Sequence, residues 1–147
     1  MTGMPASEFL LHRKPMLLLD KLLEIGPHYA VCQWQVSAND PFVSAGLGVP
    51  AYIGIEYMAQ CVAVHAGACE KAHGFPPPMG MLLGARHFNI SEAYLRIGQV
   101  YQTRCEELIR GADGVAAFMC NITYEGHLIV NTRLSVWQLE RGKELNG

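Results

Sequence analysis

One stretch of this chain, residues 51–73, constrains everything around it. Pro50 suits the first turn of a helix, and Gly74 followed by Pro76-Pro77-Pro78 suits its stop. Between those signals the residues are apolar on nearly every side, the mark of a helix enclosed by other structure. The run from Ala51 to Cys69 approaches membrane-spanning length, yet it holds Glu56, Gln60 and His65 and is built largely of Ala and Gly. Insertion into a bilayer would cost more than it gains, so no membrane insertion is expected.

The remainder reads as strands. Residues 16–25 are dense in Leu and end at Gly26-Pro27. Next, Ala30, Cys32, Trp34 and Val36 alternate with polar residues, the period of a half-buried strand. Residues 38–50 are loop, punctuated by Asn39-Asp40-Pro41, Gly46 and Gly48. Four strands follow the helix, over 79–88, 99–109, 115–124 and 128–139, with hairpin signals at Gly111-Ala112-Asp113-Gly114 and Glu125-Gly126. On the last strand Leu128, Val130, Thr132, Leu134 and Val136 share one face. One buried helix amid about six strands asks for an α+β architecture in which a curled, mostly antiparallel sheet wraps the helix. The hotdog fold is the known solution. With no internal boundary visible, residues 1–147 are expected to form a single hotdog domain.

Composition sharpens that picture. Only 16% of the residues are charged, against about 25% in an ordinary domain. Too few charges to cover a monomer, a helix flank and a bare edge strand all point to pairing of subunits. Eleven Lys and Arg against thirteen Asp and Glu give a net charge of −2, which excludes nucleic-acid binding driven by phosphate neutralisation. No positive charge precedes Leu10-Leu11, so no secretion signal is read and a cytoplasmic location is expected. The five cysteines lack a C-x-x-C pair and read as small buried hydrophobes.

Two motifs carry a family resemblance. Leu11-His12-Arg13-Lys14-Pro15-Met16-Leu17-Leu18-Leu19-Asp20 and Ile55-Glu56-Tyr57-Met58-Ala59-Gln60 resemble the P-H-R-x-P-F-L-L-x-D and I-E-x-M-A-Q segments of the hotdog 3-hydroxyacyl-(acyl carrier protein) dehydratases. Asn39-Asp40-Pro41-Phe42 is similar to their N-E-P-F stretch, and the likeness runs over residues 8–140. Val49–Gln60 with Leu82-Leu83-Gly84 resembles the ApeP-like dehydratase subgroup of aryl-polyene and similar polyketide-like gene clusters. The family places G-H-F-P-G-x-P before the helix, and its His is the catalytic base. Here residues 43–50 are four shorter and contain no His.

The resemblance implies loss of water across Cα–Cβ of a 3-hydroxyacyl thioester. That reaction needs a base, an acid and donors for the thioester carbonyl. Glu56 is the candidate acid, because an apolar surround keeps a carboxyl protonated. The plainer alternative ties it to Gln60 or to backbone. Substrate contacts are expected from the helix start at Ala51, Tyr52, Ile53 and Gly54, whose N–H groups are free donors, and from Gln60. Gly54 either lets the acyl chain approach or packs tightly on a strand. For the base three sources stand open: His12, His87 or a partner subunit of the same fold. Arg86, Arg96 and Arg133 could meet an acidic acyl carrier protein and its phosphopantetheine-linked substrate, or be ordinary surface residues.

No metal is expected. Cys61, His65, Cys69 and His73 recur at spacing four along the helix, but they spread over about 18 Å and cannot converge on one ion. No glycine-rich phosphate loop, nucleophile elbow or dinucleotide fingerprint is present, so no cofactor is implied. Two other functions fit the same residues: a hotdog acyl thioesterase, and a non-catalytic half of a heterodimeric dehydratase. Homodimer and heterodimer are both compatible with the pattern.

Overall fold

In the computed structural model of the chain, residues 1–44 and 46–139 are described. In chain order the main elements are β1 (Lys21–Ile25), β2 (Tyr29–Gln35), β3 (Val49–Pro50), a 3₁₀ turn (Ala51–Ile53), α1 (Gly54–Lys71), β4 (Gly80–Ile90), β5 (Tyr94–Leu95), β6 (Val100–Arg110), β7 (Val115–Tyr124) and β8 (His127–Gln138). Six of the strands form one antiparallel sheet in the order β1-β2-β6-β7-β8-β4, and α1 packs across it. This is the expected hotdog arrangement, with the sheet left open rather than closed around the helix.

The period-two residues form the floor. Ala30, Cys32, Trp34 and Val36 are buried, as are Thr103 and Cys105 on β6 and Phe118, Cys120 and Ile122 on β7. From above, α1 lays down Tyr57, Met58, Cys61, Val64 and Ala68, all buried. The Trp34 indole stacks between the rings of Tyr57 and Tyr101, with centroids 3.9 and 4.9 Å away. Its Nε1–H donates to Thr103 Oγ1 at 2.8 Å, so the one polar atom of the indole is satisfied in the core.

Three expectations are corrected. The helix is α-helical only from Gly54 to Lys71, because Pro50 precedes a tighter 3₁₀ turn and the backbone of Ala51 is engaged elsewhere. A two-stranded pair, β3 with β5, lies inside segments read as loop and connection; two residues are too few to show a period. Leu128 leaves the inner face and is 52% exposed, because an irregularity at Ile122/Thr123 shifts the register and buries Ile129 beside Val130 instead.

The N-terminal segment completes the cover. Phe9 is buried over the helix, and Gly67 accepts its backbone so closely that an added Cβ would overlap the Phe9 carbonyl oxygen. Lower down, Gln60 holds the same segment. Its Oε1 accepts the Leu18 N–H at 2.9 Å, and its Nε2 donates to the Met16 carbonyl at 2.7 Å. The helix is therefore not enclosed on all sides. Sheet and N-terminal segment cover part of it, while Ala59, Ala63 and Ala66 are half-buried and Glu56 is exposed.

Candidate active site

The uncovered face of α1 forms one wall of a groove of about 280 Å³. Glu56, Ala59, Gln60, Ala63 and Ala66 line that wall; residues 9–12 and residues 77–82 line two others, and the end of β8 contributes Val136–Gln138. The alanines give it an apolar floor with no bulky side chain. Sequence reading anticipated small residues along the helix but missed the other walls. The Pro-rich run at 76–78 signals only a helix stop, and nothing local announces that it folds back over α1.

Glu56 stands at this groove, although not buried as expected. The sheet stops at β4, and β4 is exposed along nearly its whole length, so none of the described residues covers the carboxyl. The alternative tie to Gln60 is not made among the described residues; the Gln60 amide instead bonds the backbone of residues 16 and 18. His12 lines the same groove and is exposed. Arg13 Nη1 donates to the carbonyls of Leu10 and His12 at 2.8 and 2.7 Å, which shapes the turn that presents the imidazole. His12, Glu56 and Gln60 are thus brought together.

The expected carbonyl donors fare differently. The Ala51 N–H donates to the Ala93 carbonyl at 2.9 Å and is not free. Gly54 is buried against the sheet, where a Cβ would lie 2.9 Å from Ile122 Cδ1; of its two readings, tight packing is the one realised. Tyr52 is 64% exposed and Ile53 half-buried, and neither lines the groove. Arg86 lies on β4, exposed, directly opposite Arg133 of β8. Arg96 is exposed between β5 and β6, and its backbone N–H donates to Tyr101 Oη at 2.7 Å. His87 sits at an irregularity of β4 with φ +54°, outside the groove.

The helix's cysteine and histidine series is absorbed by backbone, apart from Cys69, whose Sγ lies 3.7 Å from His65 Nε2. Cys61 Sγ lies 3.4 Å from the Thr103 carbonyl, and His73 Nδ1 lies 2.9 Å from the Cys69 carbonyl. His65 Nε2 is 3.2 and 3.1 Å from the carbonyls of Gly26 and Pro27, which makes that nitrogen the protonated donor. Burial holds His65 below the usual histidine range, against the two carbonyl contacts that favour its charged form. Tyr57 Oη is buried without a hydrogen-bond partner among the described residues, and burial, with Asp40 and Asp20 adding, pushes its ionisation up.

A family model described as ApeP dehydratase, of the ApeP-like family, matches residues 4–146. The chain belongs to the ApeP-like family. It is a dehydratase-like hotdog protein. Among solved structures, this ApeP-like chain is similar to the dehydratase heterocomplex ApeI:P from Xenorhabdus doucetiae. That likeness has a TM-score of 0.86 and 27% identity, covering 94% of this chain and 93% of that one. A curated relative, the bifunctional enzyme LpxC/FabZ of Porphyromonas gingivalis, is 42% identical in a 57-residue alignment that covers 36% of this chain and 12% of that protein's length. A hypothetical thioesterase with coenzyme A from Streptococcus pneumoniae has a TM-score of 0.63 at 11% identity, covering 80% of this chain and 84% of that one, and shares the fold alone. No helix among the described residues is long and apolar enough to cross a membrane.

Proposed function

We propose that this ApeP-like chain is one subunit of a 3-hydroxyacyl-(acyl carrier protein) dehydratase of fatty-acid or polyketide-like biosynthesis, working as a pair with a second hotdog subunit. The observation that carries the reading is the groove, where Glu56 and His12 both line an alanine-floored face that the described residues leave open. The solved relative is a heterocomplex, which supports an unlike partner over that opening. Covering by such a partner would supply the water-poor surround in which a carboxylic acid gives up its proton to a leaving group.

In the reaction a base removes the α-proton of the thioester, the Cα=Cβ bond forms, and Glu56 gives its proton to the β-hydroxyl, which departs as water. His12 is the base this chain could offer, and a histidine of the partner is the other source. Gln60 acts by holding the segment that carries His12, since its own amide is engaged. The acyl carrier protein would deliver the substrate on its phosphopantetheine arm, with Arg96 as the candidate contact and Arg86 available to it only if the β4 edge stays uncovered.

The test uses the chain alone and co-purified with a same-fold partner, incubated with defined 3-hydroxyacyl carrier proteins and followed by mass of the carrier-bound product. Loss of one water is expected with the pair, and Glu56→Gln should lower the rate by about 10²–10⁴-fold. His12→Asn separates the base sources: a similar fall assigns the base to this chain, and an unchanged rate assigns it to the partner. No water loss under any pairing sinks the dehydratase reading, and release of free thiol instead replaces it with hydrolysis.

A further inference from the structure

Strand β4 is bonded on one side to β8 and on the other to nothing among the described residues. It is eleven residues long, and Met81 and Leu83 are 62% and 52% exposed on it. A long apolar edge of this kind is a template for another strand. The proposed function places a second hotdog subunit beside this chain, and on that reading the chemistry of the edge restricts what the partner must carry.

We infer that the β4 edge disfavours a second copy of this chain and selects an unlike strand that presents carboxylates beside Arg86. The register pairs Arg86 with Arg133 across β4 and β8. Arg133 alternates with the buried Thr132 and Leu134, so both arginines lie on the sheet face away from the helix, and both are exposed. Directly opposed residues in an antiparallel pair have Cβ atoms about 4.5–5.5 Å apart, and like charges there repel. The guanidinium hydrogen bonds and ion pairs of the described residues come from Arg13, Arg104 and Arg110. Arg86 and Arg133 therefore form a concentrated positive pair with no acid bonded to either among the described residues.

Self-pairing would double it. Two copies joined edge to edge along the full length of β4, Gly80–Ile90, would have their two-fold axis near its middle residue, Ala85. A continuous sheet with both helices on one side also keeps the outer faces together, so Arg86 of each copy stands beside the axis on the same face. Around that axis the two arginines are directly opposed or diagonal neighbours, about 7–8 Å apart in the diagonal case, within reach of long side chains. Four guanidiniums then crowd one spot. A partner strand with Asp or Glu at the matching position turns the same geometry into ion pairs and leaves the apolar contacts of Met81 and Leu83 intact.

The test needs no substrate and no identified partner. Sedimentation equilibrium of the chain alone should show weak self-association, tightened about tenfold when salt shrinks the screening length to ~3 Å at 1 M. The double variant Arg86→Ala/Arg133→Ala should self-associate more tightly at low salt and lose most of that salt response. Mixing wild type with Arg86→Glu/Arg133→Glu should give the mixed pair in clear excess over both self-pairs by native mass spectrometry at low salt. Both positions are exposed, so melting temperatures should stay close to the wild type, slightly above it for the alanine pair that removes the repulsion, and confirm that the variants fold. A tight, salt-insensitive wild-type dimer overturns the inference, and so does a mixture in statistical proportions or with no mixed pair. A chain that passes these tests yet yields no enoyl product with any partner breaks the dehydratase reading alone.

Discussion

The two edges of the sheet are finished in opposite ways. Along β1 the chain covers its own edge: Gly3 N–H donates to the Leu22 carbonyl at 2.6 Å, Leu22 N–H to the Met4 carbonyl at 3.0 Å, and Ala6 N–H to the Asp20 carbonyl at 2.8 Å. Phe9 then leads the segment over the helix. Along β4 no such strap exists among the described residues, and Met79, Met81, Leu82 and Leu83 are 52%, 62%, 36% and 52% exposed. Unpaired strand edges invite association, so proteins normally blunt them. A chain that blunts one edge and leaves the other apolar separates two jobs: the β1 side holds the subunit together, and the β4 side is where the second subunit proposed above would fit.

That contrast predicts where mutations hurt. The largest effect is expected from Phe9→Ala, which empties a fully buried site beneath the strap and should cost about 3–5 kcal/mol by urea unfolding. Next comes Gln60→Leu, which leaves the Leu18 N–H and Met16 carbonyl without their partners; about 1–3 kcal/mol should be lost, with faster proteolysis within residues 11–17.

A smaller, pH-dependent effect belongs to His65, which anchors the β1–β2 turn through Gly26 and Pro27. Burial lowers its folded pKa, so below about 6.5 the unfolded chain takes up a proton that the folded chain resists. Its contribution to stability is therefore full above that pH and declines as pH falls toward the depressed folded value. Thermal melts at about pH 7.5 and about pH 5.5 should show a wider gap for wild type than for His65→Gln.

The smallest effect on the chain alone should come from the open edge. Leu83→Ala should change unfolding by no more than about 0.5 kcal/mol, yet weaken pairing with a hotdog partner in a pull-down. If Leu83→Ala cost as much as Phe9→Ala, the two edges would not have separate jobs.

Much of this was legible in the chain itself. The alternation at Ala30, Cys32, Trp34 and Val36 marked a strand, and the turn chemistry at 111–114 and 125–126 marked two hairpins, because these signals are local. The N-terminal and helix motifs marked the family and pointed to Glu56. Exposure of Glu56 was not legible: an apolar neighbourhood along the chain does not say whether the opposite wall exists, and here the sheet ends first. Gly54 illustrates the same limit. Its two readings differ only in what lies across from it, and Ile122 comes from a strand nearly seventy residues away. Arg86 and Arg133 looked like separate surface charges until the bulge between Leu82 and Gly84 set the register that opposes them.

The sequence by itself determined the long elements, the sidedness of most inner-strand positions and the resemblance to dehydratases, since each is written in spacing and residue type within a short window. Only the tertiary structure decided which edge is covered and which is bare, and so which face of residues 51–73 is core and which is groove. Strand order and register depend on contacts between residues far apart in the chain, and no local period records them.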